Sequence, residues 1–230
     1  MSGCFSPAGA GDDGRLLMPL QVARAGLALP SVDELAALRA EYDAQQSVTL
    51  RRFLEPALRS WIHRRLMTAA WDRVVHEDLD PPSIDLKLAD PLVEGTIHAL
   101  LQDENLFAAV RAITGCGPIG MYAFRVYRMD AGAGHTDSWH GDNDGNRMVT
   151  LSVNVGSEPF DGGELRIRDR ATRRIIHRVH NTGPGDAILF RIDPALEHCV
   201  EEVRGPVPKY AVAGWFQKGP AASLGRLVRR

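Results

Sequence analysis

The spacing of apolar residues changes character at Gly115. Before it, apolar positions recur three and four residues apart, as one face of a helix requires. Ser31 and Glu34 stand at the spacing of a capping box, with Leu35, Leu38 and Tyr42 following on one face. A second helix is predicted over residues 55–71, with Leu58, Ile62, Leu66 and Ala69 in one stripe. Pro81 and Pro82 break the chain. Asp90 followed by Pro91 reads as an N-cap with proline at the first helical position, opening a third helix to residue 102. A short fourth is predicted over 105–113. Residues 1–30 are rich in Gly, Ala and Pro without periodicity and predict a loose arm.

After Gly115, β-branched and aromatic runs alternate with clusters of Gly, Pro, Asp and Asn. The runs cover 121–128, 148–155, 164–168, 174–180, 187–192, 198–203 and 210–216. Strands at that spacing predict a sandwich or barrel. The fold class is therefore α+β: one domain over 31–230, with a mainly helical buttress at 31–115 and a β core at 116–217. No βαβ alternation and no GxGxxG after a strand supports a dinucleotide-binding sheet.

Composition narrows the field. The chain has 230 residues and a formal charge of −2, so nothing electrostatic argues for nucleic acid or an anionic membrane as partner. Cys4, Cys116 and Cys199 show no CxxC and no even pairing, which argues against a disulfide framework and a Cys-type zinc site. No apolar run reaches the roughly 18 residues of a membrane span. The N-terminus lacks the basic and apolar regions of a signal peptide, so a reduced, cytoplasmic setting is expected. Only three of the 27 basic residues are Lys: Lys87, Lys209 and Lys218.

The chemistry concentrates in one stretch. His63, His76 and His98 read as partly exposed helix residues, and His177 and His180 as a solvated strand face. Residues 134–147, however, hold two His-x-Asp units, His135 with Asp137 and His140 with Asp142. On a strand, residues i and i+2 face the same side. Either pair, joined by a distant histidine such as His198, would make the two-His-one-carboxylate set that leaves positions open for Fe(II) oxygen chemistry.

The order of the following segments carries a family signal. HGD, NRMVTLSVNV, GGELRI, GPGDAILF, HCVEEV and KYAVAGWF, spread over about residues 121–216, resemble the prolyl-hydroxylase-like Fe(II)/2-oxoglutarate dioxygenases. The resemblance implies a double-stranded β-helix (a jelly-roll, cupin-like core) with the N-terminal helices packed on its major sheet. It implies Fe(II), 2-oxoglutarate and O₂ as cofactor and co-substrates, with ascorbate as a candidate stimulant. Of the two pairs it favours His140 and Asp142, which with His198 would bind Fe(II), because Arg147 follows at the family's usual interval. Lys209 would pair with the distal carboxylate of 2-oxoglutarate, since a dicarboxylate end inside a barrel needs a cation. Asn154 and Tyr127 are further candidate contacts to 2-oxoglutarate. Arg147 would hold substrate or the His-x-Asp loop, His135 and Asp137 would line the entrance, and Trp215 would be core or border the substrate pocket.

The implied reaction hydroxylates an unactivated C–H bond of a small molecule, an amino acid or a prolyl residue, releasing succinate and CO₂. In the family, halogenating members have Gly or Ala at the carboxylate position, so Asp142 argues against halogenation. The competing reading is a cupin-type metal-binding jelly roll with 2-oxoglutarate-independent chemistry or a non-catalytic role, which would not need Lys209. Nothing in the sequence bears on oligomeric state.

Overall fold

A computed structural model describes residues 19–77, 79–180 and 182–219. The first half runs β1 (Gln21–Ala23), β2 (Gly26–Ala28), α1 (Val32–Gln45), β3 (Ser47–Leu50), α2 (Pro56–Leu66), β4 (Trp71–His76), β5 (Ser83–Leu88), α3 (Pro91–Leu101) and α4 (Glu104–Thr114). The second runs β6 (Met121–Met129), β7 (Asp137–His140), β8 (Arg147–Asn154), β9 (Asp161–Gly162), β10 (Leu165–Asp169) and β11 (Ile175–Val179). It ends with β12 (Ala187–Arg191), β13 (Leu196–Val200), β14 (Val203–Arg204) and β15 (Lys209–Gln217).

The helices begin where the capping chemistry places them. The Ser31 hydroxyl accepts the Glu34 N–H and the Glu34 carboxylate accepts the Ser31 N–H, so both halves of the capping box form. Asp90 accepts the N–H groups of Leu92 and Val93, and Asp103 those of Asn105 and Leu106. Gly115, with φ 67°, closes α4 in the left-handed conformation that glycine adopts without penalty.

Seven strands form one antiparallel sheet in the order β3-β12-β8-β15-β6-β5-β4, and four form a second, β11-β10-β13-β7. The alternation in β8 shows how they are used. Val149, Leu151 and Val153 point to the helical side, where they join Leu106, Val110, Ile113, Tyr122 and Phe216 in the larger core. Thr150, Ser152 and Asn154 point the other way and line a cavity between the sheets. A smaller core, including Met129, Leu165, Ile167, Phe190 and Val200, joins the two sheets. This is the double-stranded β-helix with helices on the major sheet that the family resemblance implied.

The first half is less helical than its pattern suggests. β3, β4 and β5 complete the large sheet, and none of the three reads as a strand in sequence because each is short or mixed in polarity. α2 ends at Leu66 rather than at residue 71, because Trp71 opens β4 and pairs with Leu88. Part of the expected arm is also ordered. β1 and β2 pair as a hairpin, Leu20 and Val22 are buried, and Val22 exchanges backbone hydrogen bonds with Phe53 and Glu55. Residues 1–18 lie outside the described residues. No helix among the described residues is long and apolar enough to cross a membrane.

Candidate metal and co-substrate site

The cavity between the sheets has a volume of about 510 Å³. On its minor-sheet wall, His140 at the end of β7 pairs directly with His198 on β13, which brings their imidazole centroids to 4.3 Å. Asp142 follows β7 and turns its carboxylate between them. Its Oδ1 lies 3.8 Å from His140 Nε2 and its Oδ2 lies 3.5 Å from His198 Nε2.

The tautomers suit metal binding. His140 Nδ1 lies 2.7 Å from the Ser138 carbonyl oxygen. A carbonyl only accepts, so Nδ1 carries a proton and Nε2, directed toward Asp142, is the nitrogen left for a metal. Burial, together with the neighbouring His140, pushes the His198 imidazole down to about 4, so it is neutral at physiological pH. Such a carbonyl contact on the far nitrogen is the usual way a ligating histidine is oriented.

Asp142 is buried and held by two donors. Arg147 Nη1 donates to Oδ1 at 3.0 Å and Trp215 Nε1 donates to Oδ2 at 2.6 Å. The Arg147 guanidinium also stacks 3.7 Å above the Trp215 ring. Trp215 is therefore a wall of the site bonded to the carboxylate, not a core residue, and Arg147 holds the His-x-Asp segment.

Lys209 lies further in, buried at the start of β15. Its ammonium donates to the Gly163 carbonyl at 3.3 Å, with the Phe160 and Tyr127 rings 5.7 and 6.0 Å away. Burial lowers its pKa to about 8, the Asp137 charge opposing the shift. Three ammonium protons face one long-range acceptor, which is an underpaired buried cation. The Gly162-Gly163 turn aims that carbonyl, with φ 72° and 60°, both in the left-handed region.

The remaining sequence-derived candidates separate. Tyr127 lines the cavity, its phenol pushed well up by burial and hydrogen-bonded with Ser152. Asn154 lines it too, but its amide is spent on backbone: Nδ2 donates to Thr182 O at 2.8 Å and Oδ1 accepts the Gly156 N–H at 2.9 Å. His135 does not line the entrance. It is buried, and its Nδ1 accepts the Asp130 N–H at 2.8 Å, fastening the β6–β7 turn. Asp137 does line the cavity, with Oδ1 3.5 Å from His140 Nδ1. Ligand atoms of Asp137, His140 and His198 also lie within 4.8 Å of one another.

Sequence reading missed three lining residues. His76 was assigned to a helix, whereas it sits on β4; Asp85 lies on β5 and Arg125 on β6. Only Arg125 had a usable signal, two residues before Tyr127 on the same strand face.

Residues 123–217 match the family model of the 2OG-Fe(II) oxygenase superfamily. That segment lies in the β half of the chain and carries the metal and lysine candidates. Solved structures agree on the fold. The chain is similar to a Burkholderia pseudomallei oxidoreductase of the 2OG-Fe(II) oxygenase family, with TM-score 0.62 and 16% identity over 80% of this chain and 91% of that one. It is similar to a Pseudomonas putida prolyl-4-hydroxylase, with TM-score 0.57 and 21% identity over 80% of this chain and 98% of that one. It also resembles the epimerase SnoN, solved with Fe³⁺, α-ketoglutarate and nogalamycin RO, with TM-score 0.60 and 13% identity over 81% of this chain and 84% of that one. No curated protein matches the chain. The family of that model uses Fe(II) and 2-oxoglutarate, and the cavity offers donors that fit both. Two imidazoles and a carboxylate suit Fe(II), and an underpaired buried ammonium suits a carboxylate.

Proposed function

We propose that the chain is a 2-oxoglutarate-dependent hydroxylase acting on a C–H bond of a small-molecule, amino-acid or prolyl substrate in a reduced, cytoplasmic setting. The observation that carries this reading is the convergence of His140 Nε2, His198 Nε2 and the Asp142 carboxylate at 3.5–3.8 Å, in the same cavity as an underpaired buried lysine. His140, Asp142 and His198 would hold Fe(II). Asp142 is favoured over Asp137 because Asp137 faces Nδ1, the nitrogen committed to the Ser138 carbonyl. When bound, the metal supplies the O₂-dependent oxidation that splits 2-oxoglutarate into succinate and CO₂ and hydroxylates the substrate.

The side chains divide the remaining work. Lys209 takes the distal carboxylate of 2-oxoglutarate as a charge-assisted pair in a setting where an unpaired charge is costly. Tyr127 and Phe160 wall that end and exclude water. Arg147 and Trp215 each donate to one oxygen of Asp142, which fixes the carboxylate's rotation. Asn154 shapes the β8 end of the cavity through the loops it bonds. The free thiols of Cys116 and buried Cys199, the latter pushed up to about 12, fit a reducing compartment.

The test is visible charge-transfer absorption on adding 2-oxoglutarate to the Fe(II) protein under anaerobic conditions. Asp142→Ala and His140→Ala are expected to abolish it, while Asp137→Ala and His135→Ala retain it. An absorption lost with Asp137→Ala and kept with Asp142→Ala would reverse the ligand assignment, and absence of succinate formation with every candidate substrate would end the hydroxylase reading.

A further inference from the structure

The major-sheet wall carries a second cation that neither the metal ligands nor Lys209 uses. Arg125 lies on β6 two residues before Tyr127, so both face the cavity. Its Nη2 lies 2.7 Å from Asp85 Oδ2 on β5, and its Nη1 lies 2.8 Å from His76 Nε2 on β4. A guanidinium has donors only and keeps its protons, so it donates to both, and His76 Nε2 accepts with its lone pair. His76 and Asp85 thus grip the guanidinium from the added strands of the sheet. Tyr127 supports it, with its ring centroid 5.4 Å from Arg125 Cζ. His76 and Asp85 lie outside the segment matched by the family model.

The grip leaves capacity. A guanidinium has five N–H donors, and those not used by His76 and Asp85 bond no other described residue. The Arg125 side chain is 28% exposed, within the cavity wall. Its neighbours across β15 are small: Ala213 pairs with Arg125 and Ala211 with Tyr127.

The position of Lys209 narrows what it is for. Lys209 pairs with Met129, four residues along β6 from Arg125, so the two cations rise from separate strand positions. With Lys209 assigned to the distal carboxylate of 2-oxoglutarate, Arg125, anchored from β4 and β5, is left for another anion. Arg147, the other nearby cation, is committed to Asp142 and Trp215.

We infer that Arg125, gripped by Asp85 and His76, is the docking cation for a carboxylate on the primary substrate, which makes that substrate a small organic acid or free amino acid. The inference rests on the dioxygenase reading above.

The test uses a panel of the twenty common L-amino acids, their C-terminal amides, and simple monocarboxylic acids, each added with Fe(II), 2-oxoglutarate and O₂ while succinate is measured. At least one acid is expected to raise succinate release, and its amide is not. Stimulation by an amino acid or by a plain acid distinguishes the two sources of the carboxylate. Arg125→Gln should raise the KM for that acid about 10- to 100-fold, the range of a lost charge-assisted contact. The 2-oxoglutarate Kd, read by anaerobic absorption, should stay within about threefold of the parent value. Because Arg125→Gln strands the Asp85 carboxylate, the double variant Arg125→Gln/Asp85→Asn, which restores a neutral pair, should fold and show the same loss. Equal stimulation by acid and amide, an unchanged acid KM in the folded double variant, or silence from every acid while 2-oxoglutarate still binds would each overturn the inference. Failure of the parent protein to bind 2-oxoglutarate would overturn the dioxygenase reading with it.

Discussion

Replacing Lys209 by Met is expected to stabilise the ligand-free protein while removing its hold on 2-oxoglutarate. Burial lowers the ammonium's pKa from 10.5 to about 8. At about 1.36 kcal/mol per pH unit, that difference costs the folded state about 3 kcal/mol at neutral pH. Met keeps nearly the same volume and flexibility, but the bond to the Gly163 carbonyl is lost, worth about 1 kcal/mol. The net gain is about 2 kcal/mol, which for a chain of this size raises Tm by about 4–8 °C.

The pH dependence fixes the sign. Between pH 8 and 10.5 the unfolded chain binds more protons at this lysine than the folded one, so the parent protein gains stability as pH rises. The penalty is complete below the folded value and gone above the unfolded one, so the advantage of Lys209→Met should shrink across that window. Thermal unfolding of both proteins without metal or 2-oxoglutarate, at pH 7 and near pH 10, checks this. A variant no more stable than the parent at pH 7, or an advantage unchanged near pH 10, would refute the reasoning. In the same experiment, 2-oxoglutarate added with Fe(II) under anaerobic conditions should raise the Tm of the parent but scarcely that of the variant.

Trp215→Phe removes the 2.6 Å donor to Asp142 and keeps an aromatic surface under Arg147. Anaerobic Fe(II) titration should show affinity reduced about 10- to 100-fold, and an unchanged Kd would mean that Arg147 alone orients the carboxylate. Gly163→Ala imposes φ 60° on a residue with Cβ and brings that Cβ to 2.9 Å from the Phe160 ring and 3.4 Å from Lys209 Cδ. It should cost about 1–3 kcal/mol in denaturant unfolding and weaken 2-oxoglutarate binding; intact binding would show that this turn does not place the lysine. Asp90→Ala removes the cap of α3, on the far face of the major sheet. It should cost about 1 kcal/mol of stability with succinate formation retained, and a lost activity would show that the helical buttress acts on the site.

Legibility followed the reach of the interactions. The capping box at Ser31 and the aspartate cap at 90 are local, and α1 and α3 start where those residues stand. The strands of the β half alternate strongly because one face meets the helices and the other meets a cavity. β7 escaped notice, since its four residues sit inside a polar stretch and pair only through His198 and Val200. β4 escaped for the same kind of reason: its partner β5 lies beyond a proline break, and its residues are half-exposed.

At the site, ligand chemistry was legible as residue type and spacing, but its supports were not. His-x-Asp and a distant histidine announce a metal set in one dimension. That Trp215 donates to Asp142, 73 residues away, follows only from β15 lying next to β8 in the folded sheet. The amide of Asn154 faces the cavity as alternation predicts, yet its hydrogen bonds go to Thr182 and Gly156 on loops whose paths no periodicity encodes.

The sequence by itself determined where the capped helices start, the alternation of the β-rich second half, and the inventory of histidines, carboxylates and lysines, because each depends on neighbours within a few residues. Tertiary structure alone decided that Asp142 comes within 3.5 Å of His198, that Lys209 is buried with the Gly163 carbonyl as its one hydrogen-bond acceptor among the described residues, and that Arg125 is gripped by Asp85 and His76 on strands from the other half. Those outcomes depend on strand order and register, which long-range packing sets and no local pattern records.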